Sequence, residues 1–350
     1  MDEGVPKKAA RRIRHALLAS FRASGGFRLV AASPWRHRHL LILCYHGVSL
    51  RDEHEWDPML FVTPAFLRRR FEILRDNGYV VLPLAEAVCR LVDGKLPHRS
   101  VALTFDDGFH NFFSAAMPLL EEFGYPATVY LSSYYCLHQR PILGITLRYL
   151  LWLARSQALP AGTLPAQSEP VDLGDVRQRD RLAARLLVDV RLLAQDREAQ
   201  LAWLALVADR LGIDWEDIVR SRRLHLMTGE EVAAIAQRGF DVQLHTHRHR
   251  TPREESTFRS EVLENRLIIK ELTGRPATHF CYPSGDVDPV FLPWLRDLGV
   301  ETATTCAVGL ANVGQNTLLL PRYIDTMAQT EVLFEGWLSG AAEMLKWRGK

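Results

Sequence analysis

Apolar positions along this chain alternate between short unbroken runs and longer stretches with helical spacing. In HLLILCYHGVS, the run from Leu40 to Cys44 predicts a buried strand that ends at Tyr45-His46-Gly47. TPAFLRRRFEILRDNGY then predicts a helix, with Thr63 as cap, Pro64 in the first turn, Phe66, Phe71 and Leu74 in periodic positions, and Gly78 as the stop. The strand YVVLPL, the helix LAEAVCRLVDG, the strand SVALTF, the helix NFFSAAMPLLEEFGY and the strand PATVYLSS follow. Such alternation predicts a parallel α/β fold, either a barrel or an open doubly wound sheet.

The pattern breaks after PATVYLSS. Ser156 to Pro170 is rich in Pro, Ala and Ser and predicts a loop. Asp175 to Gly212 predicts one or two charged amphipathic helices carrying Leu182, Leu186, Leu193, Leu201 and Leu204. Roughly 136–224 therefore read as a helical insertion. Alternation resumes with the helix TGEEVAAIAQRGF and the strand DVQLH, continues through ATHFCYPSG and ETATTCAVG, and closes with the short strand TLLLPRYI. The expected organisation is a leader over 1–39, a catalytic unit over 40–330 and a helical tail over 331–350, with Glu331 to Trp347 covering one end of the core.

Composition narrows the class but not the substrate. The chain has 350 residues, 47% apolar and 24% charged, with a net charge of +2. These are values of an ordinary globular protein without a global basic field, so nucleic acid is not an expected partner. The five cysteines, Cys44, Cys89, Cys136, Cys281 and Cys306, are scattered and form no close pair. That favours free thiols in a reducing compartment. No run is long and apolar enough to cross a bilayer, and the first residues lack a continuous signal-peptide core, so a cytoplasmic location is expected. Within the leader, Ile13, Leu17, Leu18 and Phe21 recur at helical spacing among Lys7, Lys8, Arg11, Arg12 and Arg14. A basic amphipathic helix of this kind predicts peripheral contact through residues 5–22 with the inner face of an anionic membrane, against the plainer alternative of a helix docked on its own domain.

The chemistry concentrates at strand ends. His46, Asp106, Asp107, His245, Tyr282 and Arg322 all fall at or just after the C-terminal end of a predicted strand, where parallel α/β barrels build their active sites. In HTHRH, His245 to His249, imidazoles four apart can face one ion, although His247 leaves the pairs His245/His247 and His247/His249 open. With a carboxylate from Asp106 or Asp107 they make a two-His, one-carboxylate site suited to zinc or another divalent metal. Two adjacent aspartates can divide the work, one holding the metal and the other handling protons. Adjacent side chains diverge in a regular strand, so the pair requires a break in the strand, and Gly108 supplies that freedom.

TFDDG at Thr104 to Gly108, HTHRH at His245 to His249 and FCYPSG at Phe280 to Gly285 resemble the motifs of the polysaccharide deacetylases of carbohydrate esterase family four. CYHGVS at Cys44 to Ser49 and GYPATVYL at Gly124 to Leu131 are similar to less diagnostic parts, and the resemblance runs from about 40 to about 325. It implies a distorted (β/α)7-type barrel and metal-dependent hydrolysis of N-acetyl or O-acetyl groups on sugars, usually with Zn2+. By position it implies Asp106 as general base, Asp107, His245 and His249 as metal ligands, and Tyr282 to Gly285 lining the groove, with the Tyr282 amide as an oxyanion donor. Tyr45, Tyr282, Pro283 and Arg322 are the expected substrate-side residues.

Two departures from the family pattern matter. The arginine usually found ahead of the proline-aromatic motif is absent, and Arg322 is the candidate substitute. The late histidine that serves as general acid is also missing, because no histidine follows His279. A circularly rearranged branch that deacetylates poly-N-acetylglucosamine uses an early Tyr-His instead, which Tyr45-His46 matches, so His46 is the expected acid. The implied function is removal of N-acetyl groups from an N-acetylated sugar, glycan or lipid-linked glycan precursor. The alternatives are hydrolysis of another amide or a formyl group, or an inactive metal-holding binding protein.

Overall fold

The computed structural model describes residues 5–139, 141–192 and 197–345. Residues 1–4 of the leader, Leu193 of the insertion and Trp347 of the tail lie outside the described residues, as do the side chains of Lys7, Lys8 and Arg11. The predicted alternation closes into a ring of seven parallel strands: β1 (His39–Tyr45), β2 (Ser100–Phe105), β3 (Thr128–Leu131), β4 (Asp241–Leu244), β5 (His279–Cys281), β6 (Thr302–Val308) and β7 (Leu320–Ile324). The strands follow one another around the ring in chain order, and β1 pairs with both β2 and β7 to close it. This is the distorted (β/α)7 barrel expected from the sequence. YVVLPL contributes only Val80–Val81, a two-residue strand beside β2 and outside the ring. Pro83 immediately begins the helix Leu84–Val92, which leaves no room for a longer strand.

Strand periodicity sorts the side chains. Along β1, Leu41, Leu43 and Tyr45 join the large apolar shell between barrel and helices, with Val101, Leu103 and Phe105 of β2. Leu40 and Ile42 point the other way, into a small interior cluster with Ala102, Tyr130, Cys281 and Leu320. Successive strand residues face opposite sides, so Cys44, Thr104, Arg322 and the positions just past the strand ends inherit the interior direction.

The interrupted region has its own apolar cluster. Helices Leu143–Leu153, Val176–Leu192, Arg197–Arg210 and Trp215–Ser221 bury Leu150, Leu186, Leu204 and Ile218 together. Part of the predicted loop is ordered by pairing, since Ala158–Leu159 runs antiparallel to Val171–Asp172. The leader forms a helix, Val5–Ala23, followed by a short one, Gly26–Ala31. Buried Arg36 ties leader, barrel and tail together by donating to the carbonyls of His39 (2.6 Å), Ser100 (3.2 Å) and Leu338 (2.8 Å).

Candidate active site

TFDDG ends β2 with a reversal of backbone hand. Asp107 and Gly108 both have positive φ, 70° and 86°. A Cβ on Gly108 would lie 2.5 Å from Leu131 Cδ1, so the position requires glycine for space as well as conformation. Asp106 keeps the interior direction of Thr104, whereas Asp107 is swung away from it towards the end of β4. The Asp107 carbonyl accepts from the Ser132 amide at 3.1 Å, which fixes the turn against β3.

Asp106 is buried and held by Arg322, whose Nη1 and Nη2 donate to Oδ1 and Oδ2 at 2.7 Å each. Burial alone would raise the Asp106 pKa, but the Arg322 guanidinium overrides it and holds the carboxyl well below the usual range. The thiols of Cys44 and Cys281 approach Oδ2 at 3.5 and 3.4 Å. His46 stands above this pair with Nε2 3.8 Å from Asp106 Oδ2 and its side chain about one-fifth exposed, at 21%. The loop behind it is pinned where the Gly47 amide donates to the Leu60 carbonyl (3.0 Å) and the Val48 amide to Asn111 Oδ1 (3.0 Å).

The HTHRH ambiguity resolves. Thr246 and His249 adopt positive φ, 59° and 53°, which brings His245 and His249 to the same carboxylate. Nε2 of each lies 3.2 Å from Asp107 Oδ1. His247 turns the other way, to Ser133 Oγ at 2.9 Å and Glu264 at 3.5 Å. His245 Nδ1 lies 2.8 Å from the Cys281 carbonyl, which only accepts, so Nδ1 carries a proton and Nε2 is the nitrogen left facing Asp107. Two imidazole nitrogens therefore converge on one buried carboxylate oxygen. A cation shared by the three atoms, which lie within 4.8 Å of one another, answers that arrangement. One carboxylate and two imidazoles suit zinc or a similar divalent ion with open positions.

The expected substrate-side tyrosines do not face the cleft, and this corrects the sequence reading. Tyr45 and Tyr282 have outward parity and are each 1% exposed. Tyr45 Oη donates to Asp325 Oδ2 at 3.1 Å, and Tyr282 Oη to the Leu318 carbonyl at 3.0 Å. The Tyr282 amide is bonded to the Thr304 carbonyl at 3.2 Å, so it is not a free oxyanion donor. Pro283 is buried as well, and Arg322, fully buried on Asp106, touches no solvent.

Two supporting residues escaped sequence reading. Asn265 accepts from the His245 amide (2.9 Å) and donates to the Leu131 carbonyl (2.9 Å) and to Ser133 Oγ (2.9 Å). Glu261, one turn earlier, accepts from the Arg248 amide (2.7 Å) and Arg250 Nε (2.7 Å). Both lie on the buried face of helix Glu255–Thr273 with Phe258, Val262 and Ile269, and a polar residue at an apolar helical position was the available signal.

Residues 93–143 and 216–303 match the family model described as polysaccharide deacetylase, and the unmatched stretch between them coincides with the insertion. A poly-beta-1,6-N-acetyl-D-glucosamine N-deacetylase of Escherichia coli (strain K12) is 36% identical over 100 residues, covering 28% of this chain and 15% of that protein. The putative polysaccharide deacetylase YxkH of Bacillus subtilis (strain 168) is 33% identical over 93 residues, covering 26% of this chain and 31% of that protein. The matches thus span less than a third of either relative. In fold, the chain is similar to the Streptococcus pyogenes deacetylase PplD in complex with acetate, with TM-score 0.56 and 17% identity over 85% of this chain and 98% of that one. It is also similar to IcaB from Ammonifex degensii, with TM-score 0.53 and 18% identity over 87% and 96% of the two chains.

Proposed function

Because the chain belongs to the polysaccharide deacetylase family, we propose that it is a divalent-metal hydrolase removing N-acetyl groups from an N-acetylated sugar, glycan or lipid-linked glycan precursor. The observation that carries this reading is the convergence of Asp106, Asp107, His245, His249 and His46 at the C-terminal end of one barrel. Asp107, His245 and His249 are the residues that would hold the ion, which when bound supplies Lewis acidity and makes a water more acidic.

Asp106 accepts the proton of the attacking water. Arg322 keeps it ionised and fixes its plane, taking the place of the arginine missing from the third motif. His46, partly exposed and 3.8 Å from Asp106, delivers a proton to the departing amine. A carboxylate with a depressed pKa is a weak base in water, so this division of labour works on an acidified water rather than a bulk one. Zinc is the ion best suited to two imidazoles and one carboxylate. The five unpaired cysteines favour a reducing, cytoplasmic setting. Acetate release from N-acetylglucosamine oligomers with added zinc tests the proposal. Release by the native protein and its loss in a metal-retaining Asp106→Asn form are expected, and a zinc-loaded protein that releases acetate from no N-acetylated oligomer overturns it.

A further inference from the structure

The leader helix Val5–Ala23 is amphipathic in the wrong sense for a soluble protein. Two of its polar side chains reach the C-terminal helix Glu331–Ser339 and its cap: His15 Nε2 meets Thr330 Oγ1 at 3.0 Å, and Arg22 clasps Glu335 through Nη2 at 2.6 Å and Nε at 2.9 Å. Leu18 is the apolar residue buried among these contacts. On the outer face Ile13, Leu17 and Phe21, one turn apart, are 61%, 56% and 38% exposed, and Leu29 of the following helix is 75% exposed. A surface helix normally shows the reverse arrangement.

Charge decides what covers this face. From Gly4 to Arg51 the chain has ten Lys and Arg and no Asp or Glu. A second copy would bring two carboxylate-free basic segments together, which is repulsive. An anionic bilayer is complementary to both the apolar stripe and its basic flanks. Beside the stripe a cleft of about 450 Å³ is lined by Arg22, Arg28, Arg69 and Arg99 against the carboxylates of Asp76 and Glu335, an excess of cations. It lies away from the catalytic residues.

We propose that the leader docks this protein on an anionic membrane surface through Ile13, Leu17, Phe21 and Leu29. His15 beside Thr330 and Arg22 beside Glu335 run the leader alongside helix Glu331–Ser339 in the same direction.

Sedimentation with phosphatidylcholine vesicles, with and without phosphatidylglycerol, tests this independently of deacetylase activity. The full chain is expected to sediment with the anionic vesicles, less so at high salt. Ile13→Ser/Leu17→Ser, at exposed positions that leave the fold intact, should bind roughly tenfold more weakly or worse. Leu263→Ser/Leu267→Ser removes side chains that are 49% and 58% exposed on another helix and should bind as the native chain does. Failure of the native chain to sediment with anionic vesicles overturns the proposal, as does equal binding by the Ile13/Leu17 variant. A concentration-dependent dimer that the same variant dissolves would assign the stripe to self-association instead.

Discussion

Replacing Arg322 by Met removes one half of the ion pair on which the proposed base depends. Both groups are buried, at 0% and 3% exposure, and joined by two bonds of 2.7 Å. Without the guanidinium, Asp106 keeps as neighbours two thiols and, at 3.8 Å, His46, and loss of one partner of a buried pair costs about 3–5 kcal/mol. With an unfolding entropy of about 2.1 cal/mol/K per residue over 350 residues, the expected fall in melting temperature is about 4–7 °C. Arg322→Lys preserves the charge but loses the paired geometry and the bond from Nε to the Thr305 carbonyl, and should fall between native and Met in both stability and kcat. Asp106→Asn/Arg322→Met should be less destabilised than the sum of its single changes, because neither partner is left charged and alone. Calorimetry and acetate-release kinetics on the native protein and four variants, Asp106→Asn alone among them, measure these terms. A positioning role predicts that Arg322→Lys lowers kcat with little change in KM. Should Arg322→Met melt within about 1 °C of the native protein, a cost below about 1 kcal/mol, and retain native kcat, the pair neither stabilises the fold nor orients the base.

Asp107→Asn and His249→Ala are each expected to lose a divalent ion that Asp106→Asn retains, as read by metal analysis after dialysis; equal retention by all three rejects the ligand set. His46→Ala should keep metal and fold while kcat falls about 100- to 10,000-fold, and near-native turnover would show that the early histidine is structural. Asn265→Ala removes three bonds behind His245 and should weaken metal retention as well as cost about 1–3 kcal/mol for the polar groups left unmet, measured by dialysis and chemical denaturation. His225, 5% exposed and with no partner for Nδ1, has its pKa pushed down to about 4, chiefly by burial and then by Arg222 and His110. Below its unfolded value of 6.5 the unfolded chain binds the extra proton first, so stability falls with pH from there towards about 4, by about 2 kcal/mol at about pH 5. Denaturation midpoints of His225→Gln should lack that component of the decline, and an unchanged slope would mean that His225 is not the group responsible.

The barrel was legible because its strands are unbroken apolar runs separated by helices with clear starts and stops, as at Thr63 and Gly78. The strand-end rule located Asp106, Asp107, His245 and His46 for the same reason. Tyr45 and Tyr282 were misread because proximity in a motif outweighed parity: each is an odd step from an inward residue, Cys44 or Cys281, and so belongs to the outer shell. Counting by twos from Leu320 gives Arg322 its inward direction, which was available from the sequence, whereas the paired bonds it makes with Asp106 were not. The choice between His247 and His249 was not available from spacing, only from the family resemblance. In the structure it rests on left-handed backbone at Thr246 and His249, a conformation that a β-branched threonine does not advertise.

Two adjacent carboxylates at a strand end repel each other, and the structure separates them by giving each a different counter-charge from a different part of the ring. Had β2 continued with regular pleat, Asp107 would have followed Phe105 outward into the apolar shell, where neither the histidines nor a cation could reach it. The left-handed turn at Asp107 costs about 1–2 kcal/mol for a non-glycine residue, and it places that residue's oxygen 3.2 Å from two imidazoles. Asp106 needs no such turn, because its parity already aims it at Arg322. The strain therefore falls on the residue proposed to bind the ion, where ligation can offset it, while the proposed base remains on unstrained strand geometry with a fixed partner. On this arrangement loss of the ion should loosen Asp107 and the HTHRH loop before it disturbs Asp106.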